Sequence, residues 1–195
     1  MSDTPHEIPV FTLGTVLFPG GTLPLKVFEQ RYIEMTKECI RDDQPFGVCL
    51  IREGSEVGDP ALPVSIGCFA RIETWDMPQM GVFQLLARGV ERFAIRSSRV
   101  ASNGLVRAVV DNWLEEPPVE PDQISVEVLK AILERVGTGH IQGELRWSDA
   151  AWVGFRLAEI LPVDMSERQS LLELRDASER LRQIHLILAR HGLVS

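Results

Sequence analysis

Residues 17–25 read Leu-Phe-Pro-Gly-Gly-Thr-Leu-Pro-Leu, and this stretch constrains the fold of everything around it. Pro19 fixes its own φ, and Gly20 and Gly21 tolerate positive φ, so the three residues together predict a tight turn. Pro24 removes a backbone donor from the segment that follows, which excludes a helix interior and a central strand there. We therefore predict a rigid corner that sets the angle between a short first strand and the first helix.

Beyond this corner the apolar pattern predicts one helix and then several strands. Apolar residues recur at helical spacing from residue 28 to residue 40, and the period then changes to two up to about Leu114. The helical stripe consists of Phe28, Tyr32, Met35, Cys39 and Ile40. The predicted strands are Phe46–Ile51, Ile66–Glu73, Val82–Arg88, Arg92–Val100 and Leu105–Leu114. The Asn103-Gly104 pair predicts a hairpin turn, and the whole pattern indicates a closed or partly closed antiparallel barrel.

An acidic, proline-rich connector at residues 115–121 separates this region from a helical one. We place the domain boundary there, with a barrel domain over 1–116 and a helical bundle over 117–195. The first helix of the bundle is expected to stop at Gly137 and Gly139, and the second to start at Ser148 and stop at Pro162. Ser166 with Gln169 resembles a capping box, Asp176 with Glu179 predicts an acidic start to the last helix, and Gly192 closes that helix.

Composition restricts the class of protein. The chain has 195 residues, 45% of them hydrophobic and 25% charged, which is typical of a globular protein. It contains no uncharged apolar run long enough for a membrane-spanning helix, and its first residues do not resemble a secretion signal. We therefore expect a cytoplasmic location and no membrane partner. The net charge of −8 disfavours general binding of nucleic acid, which is a polyanion.

The sequence shows no recognisable catalytic, cofactor or metal motif. Cys39, Cys49 and Cys68 have neither disulfide nor metal-knuckle spacing, and we expect them to be buried apolar side chains. The four histidines give no metal pair, and there is no Gly-x-Ser-x-Gly elbow and no phosphate-binding loop. The sequence therefore predicts no metal, no cofactor and no catalytic residues, which leaves binding as the principal candidate activity.

The first candidate binding surface is the turn between two predicted strands at residues 75–81. Trp75, Met77 and Met80 lie there, and flexible thioethers suit surfaces that accept varied apolar partners. Phe18 and Leu23 from the N-terminal corner are expected neighbours. Two alternatives remain: these side chains bind apolar polypeptide segments, or Trp75 folds back onto the barrel and the methionines cover it.

The second candidate surface is rich in arginine. Between residues 86 and 107 the sequence places five arginines against a single acidic residue, Glu91. The arginines are Arg88, Arg92, Arg96, Arg99 and Arg107. Alternation along a strand puts Arg92 and Arg96 on one face, which suits an anion or RNA. No aromatic platform for bases is interleaved with these arginines, which disfavours RNA.

Four segments resemble the N-terminal substrate-recognition domain of the ATP-dependent Lon protease. They are IPVFTLGTVLFPGGTLPLKVFEQRYIEMTKECI at 8–40, VGDPALPVSIGCFARIETW with LLARGVERFAI at 57–75 and 85–95, and FRLAEILPVDMSERQSLLELRDASERLRQIHLIL at 155–188. Gly89 and Arg92 match the family's Gly-x-x-Arg signature, whereas Ser65-Ile66-Gly67 stands where the family has a Val-Gly pair. The resemblance implies an α+β fold, a PUA-like antiparallel pseudobarrel followed by a helical bundle.

The resemblance also implies a function. It predicts a non-catalytic module that binds apolar segments of unfolded or flexible polypeptides, as a substrate-recognition module or an adaptor beside other proteins of the proteolysis machinery. The motifs of the ATPase and peptidase modules of the full protease do not occur in this chain. The alternative from another class is an RNA-binding or anion-binding module that uses Arg88, Arg92, Arg96 and Arg99.

Overall fold

A computed structural model describes residues 5–113, 117–137, 141 and 143–192. The chain divides into two compact units, Met1–Leu114 and Glu115–Ser195. None of the helices in the described ranges is long and apolar enough to cross a membrane. The predicted strand end at Leu114, the connector residues 115 and 116, and the predicted helix stop at Gly139 lie outside the described residues.

The described part of the first unit contains seven strands and one helix. They are β1 (His6–Leu13), β2 (Thr22–Val27), α1 (Gln30–Asp42), β3 (Phe46–Glu53), β4 (Leu62–Pro63), β5 (Ile66–Gln79), β6 (Val82–Val100) and β7 (Val106–Asn112). β1, β7, β6, β5 and β3 pair in that order through antiparallel ladders. A parallel ladder between β1 and β3, with Val10 opposite Gly47, closes the ring. This arrangement confirms the α+β class and the mostly antiparallel barrel.

Two apolar cores lie on opposite faces of the ring strands. One core draws side chains from all five ring strands, with Phe69 and Phe93 in contact at 4.8 Å between ring centroids, and it fills the barrel interior. The other joins α1 to β1, β2, β3, β5 and β6 through residues such as Tyr32 and Met35. Because consecutive side chains on a strand face opposite sides, β5 supplies Cys68 and Ala70 to one core and Phe69 to the other.

The Pro-Gly-Gly corner forms a turn that is attached to β6. Gly21 donates a backbone hydrogen bond to the Phe18 carbonyl, and Gly20 has a φ of 77°, as expected for a type II turn with Pro19 at its second position. Gly20 N–H donates to the Gly89 carbonyl at 2.8 Å, and Gly89 N–H donates to the Gly21 carbonyl at 2.8 Å. A Cβ on Gly89 would lie only 2.1 Å from the Phe18 carbonyl oxygen, so this position requires glycine.

Two predictions for the first unit were wrong in detail, and one that concerns a turn was confirmed. The two strands predicted on either side of Gly89 form one continuous strand, β6, because Gly89 pairs with Ala70 and stays in the ladder. Helix α1 begins at Gln30, so Phe28 precedes it and is exposed, instead of lying on its buried stripe. The Ser102-Asn103-Gly104 turn does join β6 to β7, as predicted, and Gly104 has a φ of 82°.

The described part of the second unit contains four helices. They are α2 (Gln123–Val136), α3 (Ala150–Ile160), α4 (Met165–Glu173) and α5 (Ala177–Arg190), and α3 packs against the other three. Each helix has an aspartate N-cap whose carboxylate accepts a backbone N–H of the first turn; the caps are Asp122, Asp149, Asp164 and Asp176. The cap at Asp176 was predicted. The predicted capping box at Ser166 was wrong, because the N-cap of α4 is Asp164, two residues earlier. Likewise α3 starts at Ala150 and not at Ser148.

Two buried arginines organise this unit. The Arg180 guanidinium donates to the carbonyls of Leu171 and Leu174, at 2.9 and 2.5 Å, and lies 4.1 Å from the centroid of the Phe155 ring. Arg156, also fully buried, pairs with Glu159 at 2.9 Å. Burial raises the pKa of Glu159 to about 7, although Arg156 and Arg168 act in the opposite direction.

Candidate functional site

Part of the β5–β6 hairpin extends beyond the barrel ring. β3 pairs with β5 only as far as Ala70, and β7 pairs with β6 only from Phe93 onward. Residues 71–88, which we call the β5–β6 arm, therefore pair with each other and, on the far side of β6, with β2. Met80 and Gly81 form the two-residue turn at the tip, and Gly81 has a φ of 79°, which glycine adopts without a steric penalty.

One face of this three-stranded arm is apolar. Directly opposite residues in antiparallel strands point to the same face of a sheet. The register places Leu23, Ala87 and Ile72 in one row, Leu25, Leu85 and Trp75 in the next, and Val27 beside Phe83. The residues that β6 supplies to these rows, Phe83, Leu85 and Ala87, are buried. Leu23, Leu25 and Ile72 are half-buried at the margin of the core. The structure thus brings Leu23 and Trp75 to the same face.

The end of the arm presents large apolar side chains to solvent. Trp75 is 52% exposed, Met77 46% and Met80 93%, and we call these three side chains the tip surface. The Trp75 ring also packs against Phe83, at 5.9 Å between ring centroids. Of the two alternatives that the sequence left open, Trp75 does fold against the barrel core, but the methionines do not bury it.

Phe18 does not belong to this surface, so its predicted role as a neighbour was wrong. Its side chain is 0% exposed, so a bound polypeptide could not contact it. Phe28 is a candidate that the sequence pattern missed, because its spacing from Tyr32 resembled a buried helix position. It is 52% exposed and follows Val27, whose partner on β6 is Phe83, so it lies at the tip end of β6.

The arginine-rich stretch does not form the basic surface that the sequence suggested. Arg92 is 5% exposed and its guanidinium lies 5.6 Å from the centroid of the Trp113 ring. The other arginines face carboxylates supplied by distant segments: Arg88 faces Glu73, Arg96 faces Asp111, Arg99 faces Glu7 and Arg107 faces Glu38. These ion pairs offset the local positive charge, so an anion would have to compete with carboxylates already in place.

A second apolar surface lies in the helical unit, between α4 and α5. It is a groove of about 400 Å³ with Leu171, Leu174, Leu186 and Ile187 along it. The Glu167–Arg190 ion pair, at 2.6 Å, lies at its rim. The exposed Leu186 is the side chain that would contact a ligand in this groove.

The three cysteines are buried, as predicted. Burial raises the pKa of the Cys39 thiol to about 11 and that of Cys49 further, so both thiols are neutral and poorly nucleophilic near neutral pH. Within the described ranges, no three His, Cys, Asp or Glu side chains are grouped so that they could hold a metal ion.

Comparison with known proteins gives consistent matches over almost the whole chain. Residues 7–190 match the family model described as the ATP-dependent protease La (LON) substrate-binding domain. Lon protease 2 of Myxococcus xanthus is 28% identical over 96% of this chain, and the Lon protease of Escherichia coli K12 is 26% identical over 91%. In both cases the match covers 24% of the relative, so the chain spans about a quarter of the length of these curated proteases.

Solved structures of N-terminal domains show the same fold. The crystal structure of a Lon N-terminal domain protein from Xanthomonas campestris superposes with a TM-score of 0.77 and 37% identity, over 93% of this chain and 98% of that one. The N-terminal domain of the Mycobacterium avium complex Lon protease superposes with a TM-score of 0.68, over 95% of this chain and 100% of that one. Its identity of 17% supports the fold alone.

Proposed function

Because the chain belongs to the family of the ATP-dependent protease La (LON) substrate-binding domain, we propose that it binds apolar segments of other polypeptides through its tip surface. The observation that carries this proposal is the exposure of Trp75, Met77 and Met80 together at the end of the β5–β6 arm. The family description names substrate binding, and polypeptides are the substrates of a protease. The tip surface supplies the chemistry that such binding needs.

The chemistry of the tip surface suits partners of varied sequence. Thioether side chains are unbranched and flexible, so Met77 and Met80 can adjust to different apolar shapes. Trp75 is anchored against Phe83 on one side, so it presents a large apolar area with little further loss of side-chain entropy on binding. Half-buried Leu23 and Leu25 extend the apolar face toward the base of the arm. We include Phe28 in the proposed surface because it lies at the same end of β6.

The proposed role is binding and not catalysis. The matched family model covers the substrate-binding domain alone, and the matched segments of the relatives make up 24% of their length. We propose that the chain recognises unfolded or flexible polypeptides, either as a substrate-recognition module or as an adaptor for other proteins of the proteolysis machinery. We do not propose RNA or anion binding, because Arg88, Arg96 and Arg99 already face carboxylates.

The test is fluorescence anisotropy with a labelled protein that is kept unfolded by reduction and alkylation. Met77→Asp and Met80→Asp should each weaken binding, and the double variant should weaken it by at least about tenfold, because a charge at the contact must be desolvated. Val100→Asp is the matched control for each single variant, since Val100 is an exposed valine at the opposite end of β6 and the control adds one negative charge, as each single variant does. Equal affinity of the double variant and the control would overturn the proposed site.

Two further measurements separate polypeptide binding at the tip surface from RNA binding and from binding in the α4–α5 groove. Binding through apolar contacts should change little between low and moderate salt, whereas binding to a labelled single-stranded RNA through phosphates should fall steeply. Leu186→Asp, in the α4–α5 groove, should leave polypeptide binding unchanged. Loss of binding in Leu186→Asp alone would move the site to the helical unit.

A further inference from the structure

We propose that the bound polypeptide adds as a β-strand to the free edge of β5, and that the favoured segment is extended, apolar at alternate positions and flanked by basic residues. This inference rests on the proposed function and specifies how the partner is recognised. It assigns recognition to the main chain of β5 as well as to the tip surface.

The first argument is the free edge itself. From Arg71 to Gln79, β5 pairs with β6 on one side, and no strand within the described ranges pairs with it on the other. Residues 73–80 are all exposed, so neither a helix nor a loop of the described part of the first unit covers this edge. The outward-facing N–H and C=O groups of an edge strand are a template for a further strand, and extended peptides are bound in this way elsewhere.

The second argument is the position of the apolar face. An added strand lies about 4.8 Å from β5, and its alternate side chains point to the same face as Ile72 and Trp75. Those side chains would extend the rows that already run through Leu85 and Ala87 on β6. A segment with apolar residues at every second position therefore fits, because it continues an existing apolar face while its main chain pairs with the edge.

The third argument concerns length. The β5–β6 register shifts between Ile72 and Thr74 and again between Asp76 and Gln79, and Pro78 lacks a backbone donor. The Met77 N–H is already accepted by the Asp76 carboxylate at 2.8 Å. The usable edge therefore ends near Asp76 and accommodates a strand of about four to six residues, within the usual range of strand lengths. Such a short edge favours weak, reversible binding and limits unregulated stacking of strands.

The fourth argument is charge. Arg71 on the edge pairs with Asp43, and Glu73 pairs with Arg88, so these charges largely offset one another. Asp76 adds a negative charge at the end of the usable edge, on a chain whose net charge is −8. Basic residues beside the apolar segment are therefore favoured over acidic ones.

The other edge of the arm is less suited to this role. The outer strand there is β2, whose six residues include Pro24. Proline cannot donate to a ladder and is a common means of blocking an edge. We therefore assign strand addition to β5 and use β2 as the internal comparison.

The experiment uses a fluorescein-labelled nonapeptide in which valine and threonine alternate between terminal lysines. Two isomers each carry three backbone N-methyl groups, one on residues 3, 5 and 7 and the other on residues 4, 6 and 8. Each set blocks one edge of the peptide, because successive N–H groups of a strand point to opposite edges. We expect one isomer to bind the full chain as well as the unmodified peptide. The other should bind at least about tenfold more weakly, since it loses two or more hydrogen bonds.

Location is read from hydrogen exchange. The amides of residues 71–76 should exchange more slowly with peptide bound, while those of β2 should not change. Replacing the terminal lysines by glutamates should weaken binding. Equal loss in both isomers, no loss in either, or protection confined to residues other than 71–76 would overturn strand addition.

The outcomes separate this inference from the proposed function. If Met77→Asp with Met80→Asp weakens peptide binding while both N-methyl isomers behave alike, strand addition is wrong and the tip surface stands. If one isomer loses affinity and the double variant binds normally, strand addition to β5 is supported and the proposed role of the tip surface is wrong.

Discussion

Gly89 is the residue at which the Pro-Gly-Gly corner meets β6. It makes both backbone hydrogen bonds to that corner, and a Cβ there would lie 2.1 Å from the Phe18 carbonyl oxygen. We predict that Gly89→Ala lowers the free energy of unfolding by about 3 kcal/mol or more, because two hydrogen-bonded main chains must separate. Urea unfolding measures the difference. The control, Gly81→Ala, has positive φ but open space, and should cost about 1–2 kcal/mol. Equal costs for the two variants would contradict the close approach.

Gly20 tests the same corner through backbone conformation. Its φ of 77° is one that β-branched residues rarely adopt. We predict that Gly20→Val lowers the free energy of unfolding by about 1–3 kcal/mol, and that Gly20→Asn costs less because asparagine tolerates left-handed backbone. Thermal unfolding of the three proteins is the measurement. An unchanged melting temperature for the valine variant would count against the turn.

Glu159 should make stability depend on pH near neutrality. Burial raises its pKa from 4.5 to about 7, so between these pH values the folded protein binds more protons than the unfolded protein. The free energy of unfolding should therefore fall as the pH rises through this window, and Glu159 should account for about 1–3 kcal/mol of that fall. In Glu159→Gln this part of the pH dependence of stability should be absent. Urea unfolding at pH 5 and pH 8 checks the difference, and parallel pH profiles of the two proteins would refute it.

At the scale of the element, Arg180 and Arg182 of α5 differ in how much stability each is expected to contribute. Arg180 is buried, stacks on Phe155 and donates to two carbonyls at the end of α4, whereas Arg182 is exposed and pairs with Glu179 on its own helix. Arg180→Ala should cost about 3 kcal/mol or more, because it removes two hydrogen bonds to main-chain carbonyls together with a packed, buried side chain. Arg182→Ala should cost less than about 1 kcal/mol. Unfolding curves of the two variants that coincide would contradict this assignment.

Most elements could be predicted from local pattern, and their ends could not. The alternation along β5 and β7, the Asn103-Gly104 turn and the Asp176 cap are local signals, and each appears in the structure. Phe28 was assigned to α1 because its spacing from Tyr32 fits a helix, yet it lies in the connection between β2, which ends at Val27, and α1. β6 was divided at Gly89 because glycine commonly interrupts a strand. The ladder with β5 and the docked corner keep it continuous.

At the scale of the whole molecule, the first unit contains its own cores. The described members of both cores lie between Ile8 and Val110, so the barrel does not need residues beyond 116 to bury its apolar side chains. We predict that residues 1–116, expressed alone, unfold cooperatively. Thermal unfolding followed by circular dichroism is the measurement. A gradual transition without a baseline would contradict the boundary that we proposed from the acidic, proline-rich connector.

The candidate site was only partly accessible to sequence reasoning. Trp75, Met77 and Met80 could be selected because large apolar residues at a predicted turn are unusual, and the structure exposes all three. Phe18 could not be excluded, since its burial depends on β6 docking against a turn some 70 residues earlier in the chain. The arginines suggested a basic surface because their carboxylate partners, such as Glu7 and Glu38, lie far away in sequence.

The sequence by itself determined the class of the fold, the order of strands and helices, the tight turns and the family resemblance, because period, proline and glycine act through neighbouring residues. Tertiary structure alone decided the parallel closure of β1 on β3, the attachment of the corner to Gly89, and the free edge of β5 beyond Ala70. Tertiary structure also decided which apolar side chains stay exposed to solvent and which arginines pair with carboxylates. These features depend on pairing between segments distant in the chain, and such pairing is set by the packing of two cores and not by any local pattern.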